Sequence, residues 1–315
     1  MEKMTNLGYC CINNTLRNER GWTTNRGMIK RTFKARGIEY AGILALRNLV
    51  DLKKIIEWND ENDVKVFRMS SSLFPWMTEY EFTSLPNYNE IKQCMTEIGD
   101  TVKASGQRIG FHPGHFDVLA SPTPRVVDNT IQDLNQHAKI LDLFGLPVTP
   151  WAAINVHING VYGNKGKTFA RLAIAFRRLD HNCQMRLTFE NDDKPGQWST
   201  KELHKFITQY NLPTPIVFDY HHHRCHPDGL TESDALALAV ETWQRRGVKP
   251  LCHYSSSRQH EQPDSMYRAH SDLIYEEIND HKWHLDIELE AKGKEVALFE
   301  YLKISPSQKY CTKLA

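Results

Sequence analysis

Eight side chains of metal-ligand type recur at similar places along this chain. His112, His157, Glu190, Asp219, His253 and Glu290 each close a short run rich in β-branched and other apolar residues. His222 and His270 stand on adjoining stretches. The clearest case is Ile216-Val217-Phe218, which follows the turn Leu212-Pro213-Thr214-Pro215 and stops on Asp219, with His221, His222 and His223 behind it. A buried strand that ends on a carboxylate and then presents imidazoles points to a metal site. The same spacing also fits an aspartate that caps a helix, followed by loop histidines. The six strand-end residues are three imidazoles and three carboxylates with no thiolate. That mixture suits Zn²⁺, Mn²⁺ or Fe²⁺ rather than the cysteine-rich structural zinc sites. With His222 and His270 added, the set exceeds what one ion needs, so two or three ions bridged by carboxylates are expected. Such clusters activate a water and stabilise both oxygens of an in-line phosphoryl displacement.

These residues need elements to hold them. The sequence predicts strands at Asn6–Cys10, Val64–Arg68, Arg108–Phe111, Ala153–Val156, Met185–Phe189, Ile216–Phe218, Pro250–Cys252 and Leu285–Leu289. Between them, apolar residues at helical spacing predict helices over 44–56 and about 87–105, 123–145, 167–179, 199–209, 231–245, 264–280 and 294–302. Eight strands alternating with helical stretches, and no break between them, predict a single (β/α)₈ TIM barrel spanning 1–315. In a closed barrel the strand ends converge on one face. In the rival arrangement, a doubly wound open sheet, they would spread along an edge. Residues 14–36 read as a polar arm carrying Arg17, Arg20, Arg26, Lys30, Arg31, Lys34 and Arg36 against the single acid Glu19.

Composition limits the function classes. Hydrophobic residues make up 40% of the chain, enough for a full core. The formal charge of +1 excludes an overtly basic nucleic-acid binder, so any such binding must come from local patches. Seven cysteines with no CxxC pair predict reduced thiols and an intracellular protein. The start MEKMTNLGYCC lacks the apolar run of a secretory signal, and no window reaches membrane-spanning length. A protein that is not secreted, has no membrane partner and is monomeric is expected.

At this point the residues carry a resemblance. Over roughly Leu7 to Glu295 the chain resembles the ultraviolet damage endonucleases of the UvdE type, relatives of the endonuclease IV barrels. The markers are Leu7-Gly8-Tyr9 with Asn13, the run Phe67 to Trp76 (FRMSSSLFPW) and Phe111-His112-Pro113-Gly114. They continue through Val156-His157-Ile158-Asn159-Gly160, the run Tyr162 to Lys167 (YGNKGK) and Phe189-Glu190-Asn191-Asp192. Phe218-Asp219-Tyr220-His221-His222 and the run Glu290 to Glu295 (EAKGKE) complete the set. The resemblance implies a nick immediately 5′ of pyrimidine dimers and 6-4 photoproducts in double-stranded DNA, and at abasic sites, leaving a 3′-hydroxyl and a 5′-phosphate. It implies two or three divalent ions, manganese first, with zinc also compatible. By position, His112, His157 and Glu190 would hold one ion. Glu190, Asp219, His253 and Glu290 would hold a second, with Glu190 bridging, and His222 and His270 a third. Glu190, Asp219 and Glu290 would be the catalytic carboxylates. Tyr9, Asn13, His115, Phe116, Lys165 and Lys167 would contact DNA.

The chain departs from the family in three places. The family reads His-Pro-Gly-Gln followed by Tyr or Phe, where the last two side chains probe the lesion; here the pair is His115-Phe116. A histidine frequent after Phe-Pro-Trp is replaced by Met77-Thr78-Glu79. A lysine two residues before the His253 position, near the third ion, is Leu251. These changes bear on lesion preference, pH dependence and third-ion occupancy. Ordinary roles compete for several residues. His137, His181, His204, His281 and His284 suit solvated or capping positions, Trp76 and Phe116 suit packing, and the loop lysines suit solvent. Two other functions fit parts of the pattern. A sugar isomerase or epimerase on the same barrel would use a smaller, mostly carboxylate set in an enclosed pocket and would lack the basic arm. A catalytically silent DNA-binding protein would show a broken ligand set.

Overall fold

The computed structural model describes residues 4–304, so Cys311 and the ends of the expected 1–315 domain lie outside the described residues. Eight short strands form the centre: β1 (Asn6–Cys10), β2 (Val66–Met69), β3 (Arg108–Phe111), β4 (Ile154–His157), β5 (Leu187–Glu190), β6 (Ile216–Asp219), β7 (Leu251–Tyr254) and β8 (Asp286–Leu289). Every pairing is parallel, and β8 pairs with β1, so the sheet closes into a barrel in sequence order. Parallel strands need crossover helices and are buried on both faces, which is why the runs read as nearly continuous apolar residues. The helices are α1 (Asn14–Arg20), α2 (Lys30–Glu61), α3 (Tyr88–Ser105), α4 (Pro124–Leu143), α5 (Lys165–Phe176), α6 (His181–Arg186), α7 (Thr200–Tyr210), α8 (Tyr220–Cys225), α9 (Glu232–Gln244) and α10 (Glu295–Ile304). The (β/α)₈ expectation holds, and the open sheet is excluded.

Local chemistry explains the boundaries. Helix α4 starts on Pro124, whose missing N–H costs nothing in a first turn. Helix α7 is entered through a capping box between Ser199 and Glu202. Gly8 has no substitute: a β-carbon there would lie 1.8 Å from the Val66 carbonyl oxygen of β2. The floor of the barrel is closed by the buried Arg108–Asp286 pair (3.1 Å), with Lys249 on the other Asp286 oxygen (2.7 Å). At the same level, Leu251 packs with Val66, Ala153, Val217 and Trp243. A lysine would carry its charge into this apolar layer, and leucine fits it without a partner.

Two expectations are corrected. No helix covers 264–280: that stretch is irregular and makes an antiparallel bridge between Ser257 and His270. Side chains take its backbone donors, since Glu261 accepts from the N–H groups of Asp272 (2.6 Å) and Leu273 (3.1 Å), and Ser256 Oγ from Tyr275 (2.9 Å). The polar arm is partly helical. It contains α1 and the first turns of α2, which breaks at Gly37 (φ 63°) before continuing along the barrel. Residues Met185 and Arg186, expected in the fifth strand, belong to the unanticipated helix α6. The described cysteines are all free, and no helix of the described residues is long and apolar enough to cross a membrane.

Candidate metal centre at the strand ends

The barrel register brings the ligand candidates to one height. His157 of β4 is the sheet neighbour of Glu190 of β5, and Asp219 of β6 neighbours His253 of β7, which neighbours Glu288 of β8. Glu190 lies at the centre and is fully buried. Its Oε2 is 3.0 Å from His112 Nε2 and 3.1 Å from His253 Nδ1, and its Oε1 is 3.7 Å from His157 Nε2. Three groups have ligand atoms within 4.8 Å of one another: His112–His157–Glu190, Glu190–Asp219–His253 and His112–His253–Glu290. The structure thus gathers the first expected set whole and three members of the second, while Glu290 groups with His112 and His253 instead. His222 and His270 face each other at the rim with ring centroids 6.2 Å apart.

The donor set fits divalent cations on two counts. First, several histidines have their outer nitrogen engaged, which leaves the other nitrogen's lone pair for the cavity. Nδ1–H of His112 donates to the Pro113 carbonyl (3.2 Å) and that of His270 to the Glu290 carbonyl (3.1 Å), whereas His222 Nδ1, on the Asn191 carbonyl (2.9 Å), also lies 3.3 Å from Glu190 Oε1. His157 Nδ1 has Asp192 Oδ1 at 3.0 Å, in charge contact but off the line of a hydrogen bond. Carbonyl or carboxylate support behind the ring is the usual arrangement for a metal-binding histidine. Second, buried ligand atoms lack hydrogen-bond partners, among them Glu190 Oε1, Asp219 Oδ2 and both ring nitrogens of His253. His253 has carboxylates at 3.0–3.3 Å, but off the line a hydrogen bond needs. Buried donors and acceptors left so are costly unless something charged lies between them.

Asp219 satisfies both sequence readings at once. Its Oδ1 caps α8 by accepting from the His222 N–H (2.7 Å), Oδ2 is left without a hydrogen-bond partner, and the carboxylate lies in one potential ligand group with Glu190 and His253. The electrostatics are those of a site that trades protons for cations. Burial opposes charge on Glu190, yet the imidazoles of His253 and His157 hold its carboxyl well below the ordinary range. Burial likewise opposes the His253 cation, but Glu190 and Glu290 outweigh it and raise its pKa well above normal. His222 is raised in the same way by Asp219 and Glu190. His112 is the exception, since burial dominates and lowers it.

Several supporting residues escaped the sequence reading. Asn155 Nδ2 donates to Glu190 Oε2 (2.5 Å) and is itself held by the Thr188 hydroxyl (2.9 Å). Arg68, at the end of β2, pairs with Glu290 and lies 3.6 Å from Glu288. Asp192 backs His157, and Glu288 lies 3.0 Å from His253 Nε2. The signal was available: Asn155 and Glu288 precede His157 and Glu290 by two, so strand alternation turns them inward as well.

The expected DNA contacts divide. His115 and Phe116 stand exposed on the loop after β3, Phe116 at 81%, with rings 4.0 Å apart. Lys167 is exposed and pairs with no acid among the described residues. Lys165 is committed to the Glu202 carboxylate (2.6 and 2.7 Å). Tyr9 and Asn13 are fully buried. The Tyr9 hydroxyl donates to Asn59 (2.7 Å) and accepts from Asn13 (3.0 Å), whose oxygen caps α1. Neither offers a group to a duplex, and burial accounts for both. Trp76 ties the arm to the barrel, stacking on Phe33 and donating to the Met28 carbonyl (2.9 Å).

Comparison with known proteins adds an independent line. A sequence model described as UV-endonuclease UvdE matches residues 5–313. The chain is 33% identical over 304 residues to a UV-damage endonuclease of Schizosaccharomyces pombe, covering 93% of this chain and 49% of that protein. It thus spans about half the length of that relative. It is 32% identical over 266 residues to a UV DNA damage endonuclease of Bacillus cereus, covering 81% and 80% of the two chains. A crystal structure of SacUVDE superposes with a TM-score of 0.83 at 28% identity, covering 96% of this chain and 98% of that one.

Proposed function

This chain belongs to the UV-endonuclease UvdE family, and from that premise we propose that it is a metal-dependent DNA repair endonuclease. It nicks the damaged strand of a duplex immediately 5′ of pyrimidine dimers and 6-4 photoproducts, and at abasic sites. Water adds to phosphorus in line with O3′, and the P–O3′ bond breaks. The upstream end keeps a 3′-hydroxyl, and the lesion side carries a 5′-phosphate. The observation that carries this reading is the Glu190 cluster, with histidine nitrogens turned inward and buried carboxylate oxygens left without donors.

His112, His157 and Glu190 would hold one ion, Glu190, Asp219, His253 and Glu290 a second, and His222 with His270 a third. Manganese is the ion proposed, and zinc also suits this donor set. Such ions supply charge for both the attacking and the leaving oxygen. The chain's own side chains do the rest. Asn155 and Arg68 fix the Glu190 and Glu290 carboxylates, and Asp192 fixes the His157 ring. His115 and Phe116 fill the gap left when a poorly stacked photodimer is extruded, which costs less than extruding normal bases. Tyr9 and Asn13 act behind the site by holding the start of α1. The working form proposed is a monomer.

The test is product mapping. A 5′-labelled duplex with one thymine dimer is incubated with protein and Mn²⁺, fragments are sized, and their ends are offered to a DNA polymerase. The reading expects one fragment ending at the nucleotide before the dimer, extendable without further processing, and none from the undamaged duplex. Equal cleavage of both duplexes, or an end that cannot be extended, overturns it.

A further inference from the structure

The stretch between β7 and β8 builds something besides His270. From Ser256 to Ser271 the chain leaves the barrel and returns on itself. Ser257 and His270 form an antiparallel bridge, the Arg258 N–H donates to the Ala269 carbonyl (2.6 Å), and that of Ser271 to Ser256 (3.0 Å). Arg258 is further pinned to Asp272 (3.1 Å). The returning limb begins with a tight turn, in which the Ala269 N–H donates to the Met266 carbonyl (2.9 Å). That turn exposes Met266 at 72% and Tyr267 at 46%. Large apolar side chains on a backbone this well fastened are held out toward solvent, which is where an interaction surface is looked for.

The turn is also tied to the metal centre. The Tyr267 ring lies 5.3 Å from the ring of His221, which lies 5.7 Å from that of His270. His221 is fully buried, and neither of its nitrogens has a hydrogen-bond partner. Arg268, between Tyr267 and His270, is 3.4 Å from Asp193 and still 42% exposed. An aromatic ring, a thioether and a guanidinium on one turn match the chemistry that grips bases and phosphates of an opened strand. In a closed ring of eight strands, β7 stands opposite β3. The Met266–Tyr267 turn, reached from β7 and packed on His221 beyond β6, therefore lies across the ring from β3, where the His115–Phe116 loop starts.

We propose that Met266 and Tyr267 hold the undamaged nucleotides 5′ of the scissile phosphate, as the counterpart of His115–Phe116 on the lesion side. This rests on the endonuclease reading above. A phosphate held at the cluster has lesion nucleotides on its 3′ side and intact ones on its 5′ side. With one flank taken by the loop after β3, the opposite turn meets the other. These residues determine fit and register; they do not touch the reacting phosphorus.

The experiment combines side-chain and substrate truncation. Affinity for a dimer-bearing duplex is measured on a Glu190→Gln background, with and without Met266→Ala plus Tyr267→Ala, using a full duplex and one shortened to two base pairs 5′ of the cut. Removing the ring on which a base stacks predicts ten- to a hundred-fold weaker binding of the full duplex. On the shortened duplex the two forms should bind alike, and Tyr267→Phe should retain affinity. Unchanged affinity for the full duplex, or an equal weakening on both duplexes, overturns the assignment. Mn²⁺ stoichiometry is read alongside, and should be unaltered in a folded variant. Should the protein without these substitutions fail to prefer the dimer duplex, the endonuclease reading fails, and that outcome is separate from either result here.

Discussion

Asn155→Leu isolates what holds Glu190 in place. The substitution keeps the bulk of the side chain but removes the N–H that reaches Glu190 Oε2 at 2.5 Å and the oxygen that accepts from Thr188 at 2.9 Å. Both sites are fully or almost fully buried, so water does not replace the missing donor. A hydrogen bond to a charged group contributes about 1.5–3 kcal/mol. For a chain of this length that lowers the melting temperature of metal-free protein by roughly 2 °C per kcal/mol, or about 3–6 °C. The freed carboxylate must also be reoriented when an ion binds. At 1.36 kcal/mol per decade, the same energy corresponds to roughly 10- to 100-fold in Mn²⁺ affinity, the range usual for residues behind a metal ligand. Competition against a fluorescent chelator measures the affinity, and calorimetry the melting. If Asn155→Leu changes Mn²⁺ affinity less than two-fold while the protein stays folded, Asn155 does not orient Glu190.

Other consequences follow from the same geometry. His253, His222 and His157 are raised by neighbouring carboxylates, so metal-free protein carries protons that an ion must displace. Mn²⁺ uptake should release protons and weaken as pH falls, as read by calorimetry in buffers of different ionisation enthalpy; buffer-independent heats would refute it. Behind the His115–Phe116 loop, burial and the neighbouring Asp133 push the Asp117 carboxyl up to about 7. The folded state therefore holds this proton more tightly than the unfolded chain, and the stabilisation present below pH ~4 is lost as pH rises through about 7. Against Asp117→Asn, the wild-type melting temperature should fall progressively from pH 4 to 8; a constant difference would contradict the assignment. Arg26 is engaged by Asp51 (2.6 Å), whereas Lys30, Arg31 and Lys34, at the start of α2, are among the arm cations that are exposed and paired with no acid among the described residues. Replacing these three with glutamine should flatten the slope of log affinity against log salt by up to roughly 0.9 for each phosphate no longer neutralised, whereas an unchanged slope would place DNA elsewhere.

The strand ends were legible because two constraints act on them together. A strand buried on both faces must be apolar, so a ligand at its end, such as Asp219 after Ile216-Val217-Phe218, stands out against the run. Closure of the ring could then be inferred from the repetition. What alternation alone would have shown, and what ranking by strand end passed over, is the next inward residue, Asn155 or Glu288. The helix expected over 264–280 failed because periodicity cannot register Glu261 and Ser256 capturing backbone donors from a distance. Tyr9 and Asn13 illustrate the remaining limit. Their types suit substrate contact, but only packing against Asn59 shows that both are spent inside the fold.

The most direct measurement of the central claim is nicking of a 5′-labelled thymine-dimer duplex by protein stripped of metal, by the same protein after Mn²⁺ is restored, and by Glu190→Gln with Mn²⁺. Removing the shared ligand takes away several kcal/mol of charge stabilisation, on the order of a thousand-fold or more in rate. The account predicts cleavage 5′ of the dimer only in the restored wild type. Cleavage by stripped protein at the restored rate, or by Glu190→Gln at the wild-type rate, would contradict it.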